Sequence, residues 1–99
     1  MLTINKAIEN GKAAFALTGR LDTTTAPELE KELRDSFDGV SELTLDFSGL
    51  DYISSAGLRV LLAAQKIMNK QGEMKIRGVN ETIMEIFEVT GFSDILTIE

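Results

Sequence analysis

The chain has 99 residues, of which 43% are hydrophobic and 26% charged, and it contains no cysteine and no histidine. This length and composition predict one globular domain over residues 1–99, and they exclude disulfides, thiolate chemistry and a histidine general base. The formal net charge of −6 disfavours nucleic acid and anionic lipid surfaces as partners. The longest apolar stretch, residues 58–68, is shorter than the ~20 residues that cross a bilayer. Because the N-terminus also lacks signal-peptide features, we expect a cytoplasmic protein with no membrane segment.

Eight elements follow one another in the order β-β-α-β-α-β-α-β. Alternation of apolar and polar residues indicates the strands, and apolar residues three or four apart indicate the helices. In chain order the predicted elements are strands at residues 2–8 and 13–18, a helix at 25–38, a strand at 43–47, a helix at 55–70, a strand at 74–76, a helix at 81–90 and a strand at 95–98. This order predicts an α/β fold with a mixed sheet of about five strands, whose later strands are joined by right-handed crossover helices.

Turn and capping residues mark the ends of these elements. Asn10-Gly11 favours a two-residue hairpin turn between the first two strands. Thr25 opens a stretch with the spacing of a capping box and a proline in the first turn. We expect Asn80 to cap the third helix and Gly91 to end it.

The stretch from the third strand to the second helix is the best candidate for a functional site. Functional groups of α/β sheets gather in the loops that leave the carboxyl ends of strands. Residues 48–51 are expected to break the third strand, and the stretch ends at Ser54 and Ser55, where an apolar helix begins. A hydroxyl at a helix N-terminus can cap the helix or carry a phosphate at little electrostatic cost.

Three motifs of the sequence carry a family resemblance. They are Leu17-Thr18-Gly19-Arg20-Leu21-Asp22 followed by Thr25-Ala26, then Leu43-Thr44-Leu45-Asp46-Phe47, and then Ile53-Ser54-Ser55-Ala56-Gly57-Leu58. Together they resemble the STAS domain of bacterial anti-sigma factor antagonists, over nearly the whole chain. The resemblance implies a single STAS-like domain that binds an anti-sigma factor and so releases a sigma factor. It also implies that the anti-sigma factor, itself a serine kinase, phosphorylates a serine at a helix start and ends binding, and that a serine phosphatase reverses this.

Alignment with the family on Gly57 and Leu58 implies that Ser55 is the phosphoacceptor. Ser54 then stands where the family usually has an aspartate, and Ala56 replaces a second hydroxyl residue. The partner-binding surface that the resemblance implies comprises Asp22, Ser54, Ala56, Gly57, Leu58 and Arg59.

Simpler interpretations of the same residues stay open. Helix capping alone is what a serine at a helix start usually does, so Ser54 and Ser55 could both be structural. Asp22 and Asp46 match acidic positions that the family places near the acceptor, but solvated turn residues have the same appearance. With Asp51 they could hold a hard cation, yet in so acidic a chain solvation is the better interpretation, and we expect no metal and no cofactor. An enzyme is disfavoured, because the chain has no imidazole base and no Walker-type glycine loop.

Two further alternatives concern partners. STAS-like domains also serve as regulatory or scaffold subunits of stress-signalling assemblies or transport systems, and this is the alternative function. The second helix is apolar on most sides, so it either lies deep in the domain or offers part of its surface to a partner. Such a surface would permit a weak homodimer.

Overall fold

The computed structural model describes residues 1–99 as one mixed sheet with three helices. The elements are β1 Leu2–Glu9, β2 Lys12–Leu21, α1 Ala26–Ser36, β3 Glu42–Ile53, α2 Ser55–Gln71, β4 Glu73–Arg77, α3 Glu81–Thr90 and a 3₁₀ turn Phe92–Asp94. The strand order is β1-β2-β3-β4, with β1 antiparallel to β2, and β3 parallel to both β2 and β4. The predicted α/β class and the element order through α3 are thereby confirmed.

The core lies between the helices and one face of the sheet. The buried side chains of β2 and β3 come mainly from alternate positions, which are Ala13, Phe15, Leu17, Leu21, Leu43, Leu45 and Phe47. The crossovers step from β2 to β3 to β4 in one direction, so right-handed connections place α1 and α2 on the same face. α3 joins them there, because the rings of Phe47 and Phe87 lie 6.4 Å apart. The opposite face of the sheet has no helix over it.

Helix α2 lies deep in this layer. Its buried residues are Gly57, Leu58, Val60, Leu61, Ala64, Gln65 and Met68. Ile67 is the large hydrophobic residue that α2 leaves exposed, at 38% of its surface. The apolar character of this helix is therefore explained mainly by the core. None of the three helices combines the length and the hydropathy that crossing a bilayer requires.

The predicted turn and cap residues occupy the expected places. Asn10 and Gly11 turn the hairpin with φ values of 52° and 79°. The Asn80 side chain accepts a hydrogen bond from the Ile83 N–H at 2.8 Å and so caps α3. Gly91 ends α3 in the left-handed conformation with φ of 81°, which costs glycine least.

The prediction of a fifth strand at residues 95–98 was wrong. Ile98 forms a single bridge with Ile76, while the N–H groups of Ile95 and Leu96 donate back to the Phe92 carbonyl at the end of the 3₁₀ turn and so do not join the sheet. The sheet therefore has four strands.

The third strand is also longer than predicted, because residues 48–51 do not break it. β3 runs on to Ile53, and its register with β2 shifts between Ala16 and Thr18 and again between Gly19 and Arg20. Bulges of this kind accommodate turn-forming residues within a strand.

Thr25 does not form the predicted capping box. Its hydroxyl donates to the Arg20 carbonyl at 2.8 Å and accepts from the Asp22 N–H at 2.8 Å, and it makes no cap bond to α1. The hydroxyl thus closes the turn between β2 and α1. This competing local bond is the reason that the cap is missing.

Candidate functional site

The carboxyl ends of β2 and β3 lie side by side at one edge of the sheet. Leu21 pairs with Ile53, and the Ser54 N–H donates to the Leu21 carbonyl at 2.8 Å. The loop that starts at Asp22 therefore leaves the sheet next to the start of α2. The structure brings Asp22, Ser54 and Ser55 to the same end of the domain.

The two serines have different local roles. Ser54 has an extended backbone, and its Oγ accepts a long hydrogen bond, 3.5 Å, from the Gly57 N–H, which makes it the N-cap of α2. Its carbonyl also accepts the Leu58 N–H at 3.0 Å. Ser55 is the first residue of α2, its side chain is exposed, and no hydrogen bond engages its hydroxyl. The sequence allowed either serine to cap the helix, and the structure assigns that role to Ser54.

Gly57 and Leu58 lie beneath the surface of the site. A Cβ on Gly57 would come within 2.8 Å of both Leu21 Cγ and Ile53 Cγ1. Only glycine lets the first turn of α2 approach the ends of β2 and β3 this closely. Leu58 is 7% exposed and belongs to the core. These two predicted partner-binding residues therefore position the helix and offer almost no surface of their own.

The exposed part of the site continues along α1. Arg59 is exposed and Ala56 is half-buried. They line a shallow groove between the first turns of α1 and α2, whose other wall includes Thr23, Pro27 and Glu30. Of the residues expected to bind a partner, Ala56 and Arg59 are thus the ones of α2 that a partner could contact in this groove.

Asp22 is held in place by its own turn. Its Oδ1 accepts hydrogen bonds from the Thr24 N–H at 3.0 Å, the Thr24 hydroxyl at 2.8 Å and the Thr25 N–H at 3.2 Å. The bond from the Thr24 hydroxyl is the main reason that the pKa of Asp22 lies below its ordinary value. Arg20 stands 3.8 Å from the other carboxylate oxygen and stacks on the Tyr52 ring at 4.6 Å. Asp22 therefore presents a fixed negative charge beside the start of α2.

Asp46 does not share this location. It lies in the middle of β3, paired with Ala16 and Arg77, roughly 20 Å along the strand from the start of α2. Its carboxylate accepts hydrogen bonds from the Ser48 hydroxyl at 2.6 Å and the Ser48 N–H at 3.0 Å, and these bonds lower its pKa. The expected position near the acceptor was wrong for this residue, and no cluster of three metal-ligating side chains forms with Asp22 and Asp51.

The electrostatics at the start of α2 favour an anion. The first turn contains no Asp or Glu, so the partial positive charge of its free N–H groups is not neutralised within the helix. Arg59 follows Ser55 by four residues, which places both side chains on one helix face. A negatively charged group on the Ser55 hydroxyl would meet the helix N-terminus and a cation, and these offset the negative charge that Asp22 places beside the start of α2.

Comparison with known proteins gives one consistent result. A family model described as the STAS domain matches residues 3–99. The chain is 38% identical over 99 residues to BtrV of Bordetella bronchiseptica, which is named as a candidate anti-sigma factor antagonist, with 98% of this chain and 84% of BtrV covered. It is 34% identical over 80 residues to the anti-sigma-B factor antagonist of Staphylococcus aureus, covering 79% and 74% of the two chains.

Solved structures share the fold at lower identity. The unphosphorylated form of the anti-sigma factor antagonist SpoIIAA superposes with a TM-score of 0.77 and 14% identity, over 100% of this chain and 87% of that one. The phosphorylated form of SpoIIAA from Bacillus gives the same TM-score with 16% identity, over 98% and 91%.

Proposed function

This chain belongs to the STAS domain family, and on that basis we propose that it is an anti-sigma factor antagonist controlled by a phosphate on Ser55. In the unphosphorylated state it binds a cognate anti-sigma factor that is also a serine kinase, and binding frees the sigma factor. Phosphorylation of Ser55 ends this binding, and a serine phosphatase restores it. The names of BtrV and of the Staphylococcus aureus antagonist support the regulatory role.

The observation that carries the switch is the division of roles between the two serines. Ser54 caps α2 through its Oγ, whereas the Ser55 hydroxyl is exposed and has no hydrogen bond to lose. A kinase can therefore reach Ser55, and modification leaves the helix cap in place. SpoIIAA exists in a phosphorylated form with the same overall fold. This supports the proposal that the domain tolerates a phosphate.

The effect of the phosphate on binding follows from its charge. A phosphoserine carries about −1.5 to −2 charges and three acceptor oxygens at pH 7. The helix N-terminus and Arg59 stabilise this charge within the domain. A partner surface that fits the neutral hydroxyl would have to desolvate the phosphate and would meet repulsion from any acidic group of its own. Binding is lost while the fold is kept.

The partner's contact surface is the exposed rim of the site. Ser55, Ala56 and Arg59 form its α2 side, and the Asp22 turn lies next to it across the ends of the strands. Gly57 acts from below by allowing α2 to sit close to the sheet.

A capture experiment followed by phosphorylation tests the proposal. The unmodified chain and its Ser55→Asp variant are used as baits in a cytoplasmic extract of the native cells. We expect the unmodified chain alone to retain an ATP-binding anti-sigma factor. Incubation of the captured pair with ATP, followed by fragment mass spectrometry, should place the phosphate on Ser55. Ser54→Ala is the control and should still be phosphorylated. A phosphate found only on Ser54, or equal capture by both baits, would contradict the proposal.

A further inference from the structure

The two edge strands of the sheet differ in whether their outer backbone groups are paired. At the β4 edge the C-terminal segment pairs with Ile76, whose N–H donates to the Thr97 carbonyl at 2.9 Å and whose carbonyl accepts from the Glu99 N–H at 2.8 Å. At the other edge β1 has β2 as its single neighbour, and no backbone group of residues 2–9 makes a hydrogen bond outside the β1–β2 ladder. One edge is partly covered, and the other is open.

The open backbone groups of β1 belong to alternate residues. Glu9 and Lys12 flank the two-residue turn as a hydrogen-bonded pair, and at the far end the Arg20 N–H donates to the Met1 carbonyl at 3.2 Å. Because bonded pairs alternate in an antiparallel ladder, the odd-numbered residues of β1 bond to β2. The outward N–H and carbonyl groups therefore belong to Leu2, Ile4, Lys6 and Ile8.

β1 lacks most of the features that usually protect a free edge. It contains no proline, and its register with β2 runs without a bulge from Leu2 to Glu9. Its one lysine, Lys6, is held by Glu32 of α1 at 2.7 Å. Ile8 is 50% exposed at the outer end of the strand. A long, regular and partly apolar edge strand is a template for pairing with another strand.

We propose that β1 pairs antiparallel with β1 of a second copy of this chain and so forms a homodimer with one continuous sheet. The pairing is isologous, since the same strand contributes to both sides of a two-fold axis. It relies on backbone groups of β1, whereas α2 is mostly covered by the core. The site at Ser55 lies at the end of β3 and stays accessible in such a dimer.

Side-chain chemistry selects one register of this pairing. In this pairing the residues with outward backbone groups bond to one another. An even-numbered residue of one copy therefore lies opposite an even-numbered residue of the other. When the axis passes through Asn5, Leu2 faces Ile8 of the second copy and Ile4 faces Lys6, with no like charges opposed. Moving the axis to Lys6 sets two lysines against each other, which is unfavourable. Moving it to Ile4 leaves the exposed Ile8 without a partner. The register centred on Asn5 is therefore the proposed one.

Cysteine cross-linking tests the register directly, because the chain has no cysteine of its own. In the proposed dimer the two Asn5 residues face each other as a non-hydrogen-bonded pair, with Cα atoms about 4.5 Å apart. This distance lies within the range of a disulfide. Thr3 is also exposed and shares the sheet face of Asn5, but the two copies of Thr3 would be about 14 Å apart along the strands.

In a glutathione buffer, Asn5→Cys should form a disulfide-linked dimer at least about tenfold faster than Thr3→Cys. Equal rates for the two variants would overturn the register and the dimer. The test leaves Ser55 unchanged, so its failure would not count against the proposed function.

Sedimentation of the full chain tests the association itself. An interface of one strand is small, so we expect a weak dimer that forms between about 10 µM and 1 mM. Lys6→Pro removes an outward N–H without removing a bond to β2, and it should make the chain monomeric. Lys6→Thr loses the same ion pair to Glu32 but keeps the N–H, and it should dimerise like the parent chain. If Lys6→Pro fails to fold, the cross-linking comparison decides. A parent chain that stays monomeric, or equal association of the two variants, would overturn the proposal.

Discussion

Substitution of Ser55 separates binding from stability, because the structure gives the cap to Ser54. Ser55→Ala removes an exposed hydroxyl without a hydrogen bond, so the free energy of unfolding should change by less than about 0.5 kcal/mol. Ser55→Asp places a carboxylate in the first turn of α2, where interaction with the helix dipole should add about 0.3–1 kcal/mol of stability. Both variants should melt within a few degrees of the parent chain, since about 1 kcal/mol shifts the Tm of such a domain by about 4–8 °C.

Affinity for the anti-sigma factor should respond differently to the two substitutions. Ser55→Ala adds no charge and should keep the Kd within about twofold of the parent value. Ser55→Asp puts a charge on the partner's contact surface, and even one carboxylate should weaken binding by about tenfold or more, which is about 1.4 kcal/mol. Calorimetric titration beside thermal melts of each variant measures both effects.

The matched control for these measurements is Ser54→Ala, which should lose up to about 1 kcal/mol of stability through the missing cap. Because it adds no charge to the contact surface, it should weaken binding much less than Ser55→Asp does. If both Ser55 variants bind like the parent chain, Ser55 is not the switch.

Substitutions at three further positions test the scaffold. Gly57→Ala should destabilise the domain by about 1–3 kcal/mol in urea, because its Cβ would meet Leu21 Cγ at 2.8 Å; a variant as stable as the parent chain would show that α2 can move outwards freely. Asn80→Ala should cost about 1–3 kcal/mol, since it removes the cap of α3 and the hydrogen bond that the Asn80 side-chain amide donates to the Leu50 carbonyl at 2.9 Å. Asn80→Ser keeps a capping oxygen and should cost less. The pKa of Asp46 is lowered in the folded chain by hydrogen bonds from Ser48, so its ionised form stabilises the fold at neutral pH and that contribution is lost as pH falls below 3.8. Asp46→Asn should therefore be less stable than the parent chain at pH 7, and the difference should shrink at pH 3; a difference that does not depend on pH would contradict this.

Elements with strong local signals could be predicted from the sequence alone. Asn10 and Gly11 can both adopt positive φ, and Asn80 offers a side-chain oxygen where α3 begins, so each feature depends on only a few neighbouring residues. The α/β order follows from periodicities that span whole elements. These parts of the fold needed no knowledge of distant contacts.

Features that depend on competition between partners could not be predicted. The spacing around Thr25 satisfies a capping box, yet its hydroxyl finds the carbonyl of Arg20, a residue of the preceding strand. Residues 48–51 have turn composition, but pairing with β2 keeps them within β3 by means of bulges. The last residues are apolar enough for a strand, and only the geometry of the 3₁₀ turn limits Ile98 to a single bridge. In each case the tertiary partner decides between local options of similar energy.

At the candidate site, too, the sequence could not choose between two local options. The contacts of the site also explain why the proposed switch depends on charge alone. From sequence, Ser54 and Ser55 were equivalent candidates for a cap, because both stand where the helix starts. The hydrogen bond that the Ser54 N–H donates to the Leu21 carbonyl fixes the chain at the end of β3, so that the next residue becomes the first of α2. Gly57 holds that turn against the sheet, and none of these contacts involves the Ser55 side chain. A phosphate on Ser55 therefore has no structural bond to break and no cap to replace. The two states of the domain would differ in the charge presented to the partner and not in its backbone, which is why equal stability with unequal affinity is the decisive result.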